Sequence, residues 1–347
     1  MFGTKKLNIP KSIFTIFGLI LLMGFFSPLN STHIVGGDIT YKCLGENDTY
    51  EITLTVRRDC QYGADDAPFD SPLYLTIFNG ENQFMNRRGD NGYIFMEFLG
   101  QDTLQSDFDS DCVNQGSPVC VHEAVYKGRV ILPYESSGYT LAYQRCCRNQ
   151  TLNNIVNPLT TGATYYTHIS SSSLEQCNNS PVFNDWPPIY ICADRQLNFD
   201  HSATDVDGDR LVYELCTPSQ GATINKPKPT KTSTPPFDTI IWKAPYSPAN
   251  VLGGDALTID PNTGVLTARP NLIGQFLVGV CVKEYRNGQL ISTTRRDFEF
   301  NVRPCADKPI PDFELISQLC DGLEQKFKNT TINGLTYTWY FDRDNDR

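Results

Sequence analysis

The chain of 347 residues lacks most of the short signatures that announce chemistry. It has no glycine-rich P-loop, no dinucleotide-binding glycine pattern, no H-E-x-x-H and no G-x-S-x-G. Each of those spacings sets a phosphate cradle, a metal pair or a nucleophile, so their absence argues against the enzyme classes that use them. The four histidines, His33, His122, His168 and His201, sit in no recognisable triad context. Close C-x2-C pairs are missing, which argues against zinc knuckles. Clustered Lys and Arg are missing too. With 29 basic against 39 acidic side chains and a formal charge of −10, no nucleic-acid partner is expected. No run is apolar for the roughly 20 residues that span a bilayer, so no membrane span is expected in the mature part. No long segment has helical i, i+3, i+4 periodicity, which argues against a parallel α/β fold.

What the N-terminus does carry is an export pattern. Lys5, Lys6 and Lys11 precede an apolar run from Ile13 to Phe26, and the small polar stretch Ser27-Pro28-Leu29-Asn30-Ser31 follows. Positive, apolar, small-polar is the order of a secretory signal peptide, here residues 1–31 with cleavage near Ser31–Thr32. An uncleaved anchor is the competing reading, but no charged stop-transfer pattern follows. All 12 cysteines lie beyond this segment: Cys43, Cys60, Cys112, Cys120, Cys146, Cys147, Cys177, Cys192, Cys216, Cys281, Cys305 and Cys320. In an exported chain an even set of this kind is read as disulfides, with connectivity open. Cys146 and Cys147 are adjacent, so each is expected to pair with a different distant partner.

Strands and turns fill the rest. Tyr50 to Arg57 alternates with period two, as a strand with one buried face does. Leu73 to Phe78 ends at the turn pair Asn79-Gly80. Ala124 to Leu132 and Tyr139 to Tyr143 read as two further strands, rich in β-branched and aromatic residues. Turn-rich Asn178-Asn179-Ser180-Pro181 and Trp186-Pro187-Pro188 mark a boundary near residue 177. A second strand-rich unit follows: 196–199, 211–215, 240–242, 257–260, 265–267, 275–282 and 296–302. About seven short strands fit an immunoglobulin-like sandwich. The Lys-, Pro-, Thr- and Ser-rich insertion from Thr223 to Thr239 reads as an exposed extended loop. The expected organisation is an all-β chain of tandem sandwiches: an N-terminal all-β domain over 32–176, a sandwich over 177–303, and a third unit begun at 304–347, too short to close a core.

The sharpest candidate site is Thr204-Asp205-Val206-Asp207-Gly208-Asp209. Carboxylates at alternate positions with one glycine can turn several oxygens towards a hard cation, so Asp205, Asp207 and Asp209 are candidate calcium ligands, with Asp194 and Asp200 as weaker ones. The plain alternative is an acidic turn. Asp342 to Asp346 alternates carboxylates as well, but Arg347 stands where a calcium loop has glycine. Ile34-Val35-Gly36-Gly37 is like the activated N-terminus of trypsin-like proteases, yet no nucleophilic serine context accompanies it. Tyr62, Phe69 and Tyr246 are loop aromatics that could face a surface glycan or protein partner. Asn47, Asn149, Asn178 and Asn329 head glycosylation sequons, meaningful only in a host with that pathway.

Thr32 to Tyr41, Tyr50 to Cys60 and Tyr143-Gln144-Arg145-Cys146-Cys147-Arg148-Asn149 resemble the N-terminal region of large surface proteins of the Bacteroidota. Ala203 to Tyr213, Ile259 to Leu266 and Thr293 to Phe298 are similar to their cadherin-like or immunoglobulin-like modules. Trp339-Tyr340-Phe341-Asp342-Arg343-Asp344 resembles the opening of a polycystic-kidney-disease (PKD) type repeat, without the glycine of that motif. The resemblance implies a long, cell-surface or secreted protein of the type IX secretion kind, with a non-catalytic role in adhesion, stalk or matrix. A rival expectation is an accessory spacer or carbohydrate-binding region of an extracellular hydrolase.

Overall fold

The computed structural model describes residues 33–60, 68–81, 84–85, 92–104, 119–305, 311–316, 325–332 and 338–339. The signal-peptide reading, Tyr62, Cys112, Cys320 and the acidic stretch 342–346 lie outside the described residues. Within them the chain is all-β, and its one α-helix, α1 (Ser171–Glu175), is a single capped turn.

The first region comprises β1 (Ile34–Cys43), β2 (Thr49–Asp59), β3 (Leu73–Asn79), β4 (Tyr93–Leu104), β5 (Val121–Ile131), β6 (Tyr139–Arg145) and β7 (Ala163–Ile169). Alternation decides which side chains enter its core: Tyr50, Ile52, Leu54 and Val56 of β2 are all buried. They share one core with Tyr126 of the neighbouring strand β5 and with Leu73, Leu75, Ile94, Met96 and Leu141. Strand β4 changes sheets. Tyr93 to Met96 pair with β3, whereas Glu97 to Leu104 pair with β5, with a bulge between Phe98 and Gly100. The connection after β5 does not make a hairpin, because β6 pairs with β3 and β7 instead.

The second region contains β8 (Val182–Phe183), β9 (Tyr190–Cys192), β10 (Leu197–Asp200), β11 (Ala203–Thr204), β12 (Arg210–Leu215), β13 (Asp255–Ile259), β14 (Val265–Arg269), β15 (Gly274–Arg286) and β16 (Gln289–Arg303). The β15–β16 hairpin is its spine, and Phe276, Val278, Val280, Phe298 and Phe300 anchor a separate core. Ile240 to Trp242, expected as a strand, makes only an isolated bridge from Trp242 to Ile155. The short hairpin β17 (Phe313–Leu315) with β18 (Phe327–Asn329) follows.

The two cores share one sheet. β1 pairs with β2 on one side and with β16 on the other, at Gly37 opposite Asp297 and Asp38 opposite Arg296. The sheet so formed has 11 strands and runs from β12 to β7. Close approach here needs glycine: a Cβ on Gly37 would sit 2.6 Å from the Thr55 carbonyl and 2.9 Å from the Tyr165 ring. The Ile-Val-Gly-Gly stretch is thus an interior strand, and the Ile34 amide donates to the Cys147 carbonyl.

Five disulfides are present among the described residues: Cys43–Cys177, Cys60–Cys120, Cys146–Cys147, Cys192–Cys305 and Cys216–Cys281. The expectation for Cys146 and Cys147 is overturned, since they bond to each other. Both are buried just after β6, at the Cys147 carbonyl that accepts the Ile34 amide. The 223–239 insertion is exposed over much of its length, as expected, yet it is tied to the first region. The Thr232 amide donates to Thr76 Oγ1, the Ser233 amide donates to Gln144 Oε1, and Lys228 pairs with buried Asp70 at 3.1 Å.

Candidate functional site

The acidic turn between β11 and β12 lies where the second region meets the segment that follows α1. Asp205 Oδ1 accepts the amides of Asp207 and Asp209 and so folds the turn on itself. Gly208 takes the left-handed conformation (φ 80°) that the turn requires. Antiparallel register sets Leu211 of β12 opposite Glu284 of β15 and brings a fourth carboxyl group in from 75 residues away. Carboxylate oxygens of Asp205, Asp207, Asp209 and Glu284 lie within 4.8 Å of one another. Asp194 and Asp200 do not join this group. Glu284 was missed because cross-strand partnership leaves no local spacing to read.

The cluster already contains a cation. The Arg286 guanidinium grips Asp209 with Nε on Oδ1 at 2.9 Å and Nη2 on Oδ2 at 2.5 Å, and lies 3.3 Å from Asp207. The same side chain donates to Gln176 and Asn178. Asp207 in turn accepts the amide and side-chain amide of Asn179 at 2.8 and 2.9 Å. The turn therefore fastens the 176–179 segment, whose Cys177 is bonded to Cys43 of β1. Arg286 holds the Asp209 carboxyl below the usual carboxylate range. Glu284 is fully buried, and burial pushes its carboxyl up. It accepts from Asn178 at 3.1 Å and from Ser292, while Glu284 Oε1 and Asp205 Oδ2 have no hydrogen-bond partner.

A second polar assembly lies inside the seam. Arg148 is completely buried and donates to Asp297 at 2.6 Å and to the Ser219 carbonyl at 3.1 Å. Arg296 donates to Asp38 at 2.6 Å, and the Arg57 and Arg296 guanidinium groups both lie over the Trp186 ring, 3.8 and 3.9 Å from its centre. Each ion pair joins one region to the other. Asn149 is buried with its side chain on Asp59, and Asn178 is fully buried, so neither sequon presents an accessible acceptor.

Two of the three loop aromatics turn inward. Phe69 packs against the first core under Arg58, and Tyr246 packs against Phe276 in the second. Both are partly buried, with part of each ring packed on a core. The exposed aromatics of the first region are Tyr74, Phe95 and Phe98 on its strands and Tyr134 on the loop between β5 and β6. No helix among the described residues is long and apolar enough to cross a membrane. Comparison of the chain with protein-family models, with curated proteins and with solved structures finds no match in any of the three.

Proposed function

We propose that this chain is a non-catalytic segment of an exported, surface-associated protein, serving adhesion, stalk or matrix as a stiff, disulfide-braced spacer. The observation that carries this reading is the sheet that passes from one core to the other through β1 and β16. A continuous ladder spreads tension over many parallel hydrogen bonds. The cross-links Cys43–Cys177 and Cys192–Cys305, spanning 134 and 113 residues, limit how far the chain can extend. Cysteines paired in this number belong to an oxidising compartment, and the resemblance of residues 32–41, 50–60 and 143–149 to Bacteroidota surface proteins points the same way.

Calcium belongs to the same proposal. An ion would take the oxygens that the fold leaves without partners, Asp205 Oδ2 and Glu284 Oε1, and would compete with Arg286 for Asp207 and Asp209. It would stiffen the junction that the turn already fastens. The mechanical reading is tested by pulling the oxidised chain from its two ends. Extension stopped short of the full contour length until a reductant is added supports it; full extension without reductant contradicts it. For calcium, a melting temperature unmoved by EDTA together with no bound metal on elemental analysis would end the claim.

A further inference from the structure

The sheet switch of β4 opens a fork on the first region. Beyond Lys127, which lies opposite Glu97, β5 continues through Gly128 to Ile131 while β4 turns away to join β3. Hydrogen-bond parity shows what faces the gap. The Leu132 amide donates to Asp48, so even-numbered β5 residues direct their main chain at β2 and odd-numbered ones point the other way. Lys127 uses that side on β4. Arg129 and Ile131 have no strand partner there among the described residues. On β4 the Gly92 carbonyl accepts from Ile77, so Tyr93 and Phe95 direct their main chain away from β3. The Phe95 carbonyl still abuts β5 at Gly128, 2.6 Å from where a Cβ would sit, and a groove of about 840 Å³ runs along the edge of β5 beyond it.

The groove reaches the mouth of the first core at Ile94 and Val130. Its rim carries Phe95, Leu99 and Ile131, each more than half exposed. Lys127 and Arg129 face Glu51, with Glu97 beside them, so the rim charges balance in a chain that is otherwise acidic. Unused main-chain donors and acceptors above an apolar floor, without net charge, match an uncharged extended strand. A glycan would call for planar polar side chains rather than a free strand edge.

We propose that this fork is a docking site for an extended, apolar segment of another polypeptide, which adds as a strand to the free edge of β5 at Arg129 and Ile131. Main-chain bonds hold the segment, and alternate side chains enter the mouth beside Val130. The proposal stands on strand geometry and survives failure of the spacer or calcium readings.

The test is amide hydrogen exchange by NMR on the oxidised full chain. In the free protein, Arg129 and Ile131 amides exchange faster than those of Gly128 and Val130, which bond to β2. The probe is a capped heptapeptide of alternating threonine and valine at about 1 mM. It is expected to slow exchange at Arg129 and Ile131 by about tenfold, whereas the same peptide N-methylated at alternate residues leaves both unchanged. Protection at both sites before any peptide is added would mean that the chain itself or a second copy fills the edge, and overturns the proposal. So does an absence of slowing by the peptide, or equal slowing by its N-methylated form.

Discussion

The two regions treat their buried carboxyl groups differently. In the first, Asp70 accepts the Tyr143 hydroxyl at 2.8 Å and lies beside Arg145 and Lys228, Asp59 accepts from Asn149, and Asp38 from Arg296. In the second, both oxygens of Glu299 and one each of Asp297 and Glu284 are buried without a hydrogen-bond partner. His201 extends the contrast. It is fully buried between Phe183 and Phe298, with neither ring nitrogen bonded. A buried ionisable group without a partner stays neutral, and the fold then depends on pH through it. The first region has its buried carboxylates paired, whereas the second, apart from Asp297 on Arg148, holds in Glu299, Glu284 and His201 buried groups whose ionisation opposes folding.

The largest effects expected concern the cross-links, which span both sides of this contrast. Replacing Cys43 and Cys177 by alanine frees a loop of 134 residues, and replacing Cys216 and Cys281 one of 65. Each should lower stability by about 4–5 kcal/mol, the first by about 0.6 kcal/mol more, since loop-closure entropy grows with the logarithm of length. Urea denaturation of the two double variants measures the difference. A larger loss for the shorter loop would show that the second region leans on its disulfide for more than chain entropy.

Arg148→Met comes next. It strands Asp297 inside the seam, and a loss of about 3–5 kcal/mol is expected. Adding Asp297→Asn should restore much of it, because the stranded charge is removed. If both variants are equally unstable, the ion pair is not what joins the two regions.

The pH dependence sharpens the contrast. Burial raises the Glu299 carboxyl well above its ordinary value, so its favourable share is complete below the unfolded carboxylate range and is lost as pH rises. Burial lowers His201 to about 2, so its share is present above 6.5 and is lost as pH falls towards the folded value. Melting temperature should decline on both sides of a mid-range maximum. Glu299→Gln should flatten the alkaline side by about 1–3 kcal/mol, the penalty for an unsatisfied buried group. A variant with the wild-type alkaline slope would assign the dependence elsewhere. The smallest effect is expected at the arm: Thr76→Val removes the acceptor of the Thr232 amide and should cost about 1 kcal/mol in thermal or urea unfolding.

How much of this was legible in sequence follows from the range of the interactions. The period-two run in β2 and the apolar, β-branched stretches of β15 and β16 gave their strands directly, because burial of one face is a local pattern. The acidic turn was legible for the same reason. Glu284 and Arg286 were not, since only the register of β12 against β15 brings them there. The pairing of β1 with β16 joins residues about 260 positions apart, as Asp38 and Arg296 do, and partner choice between strands leaves no trace in either strand alone. The anchoring of the 223–239 arm was hidden because its contacts are scattered single bonds and pairs to residues far away in sequence, Thr76, Gln144 and Asp70. The bond between Cys146 and Cys147 ran against the rule that adjacent cysteines seek distant partners.

The central claim is that the seam makes the two regions fold as one. Hydrogen exchange with mass spectrometry along a urea series follows peptides from β2 and β5 beside peptides from β15 and β16 in the same sample. Coincident midpoints for all four strands are expected. Midpoints that separate, with one region losing protection while the other keeps it, would contradict the account.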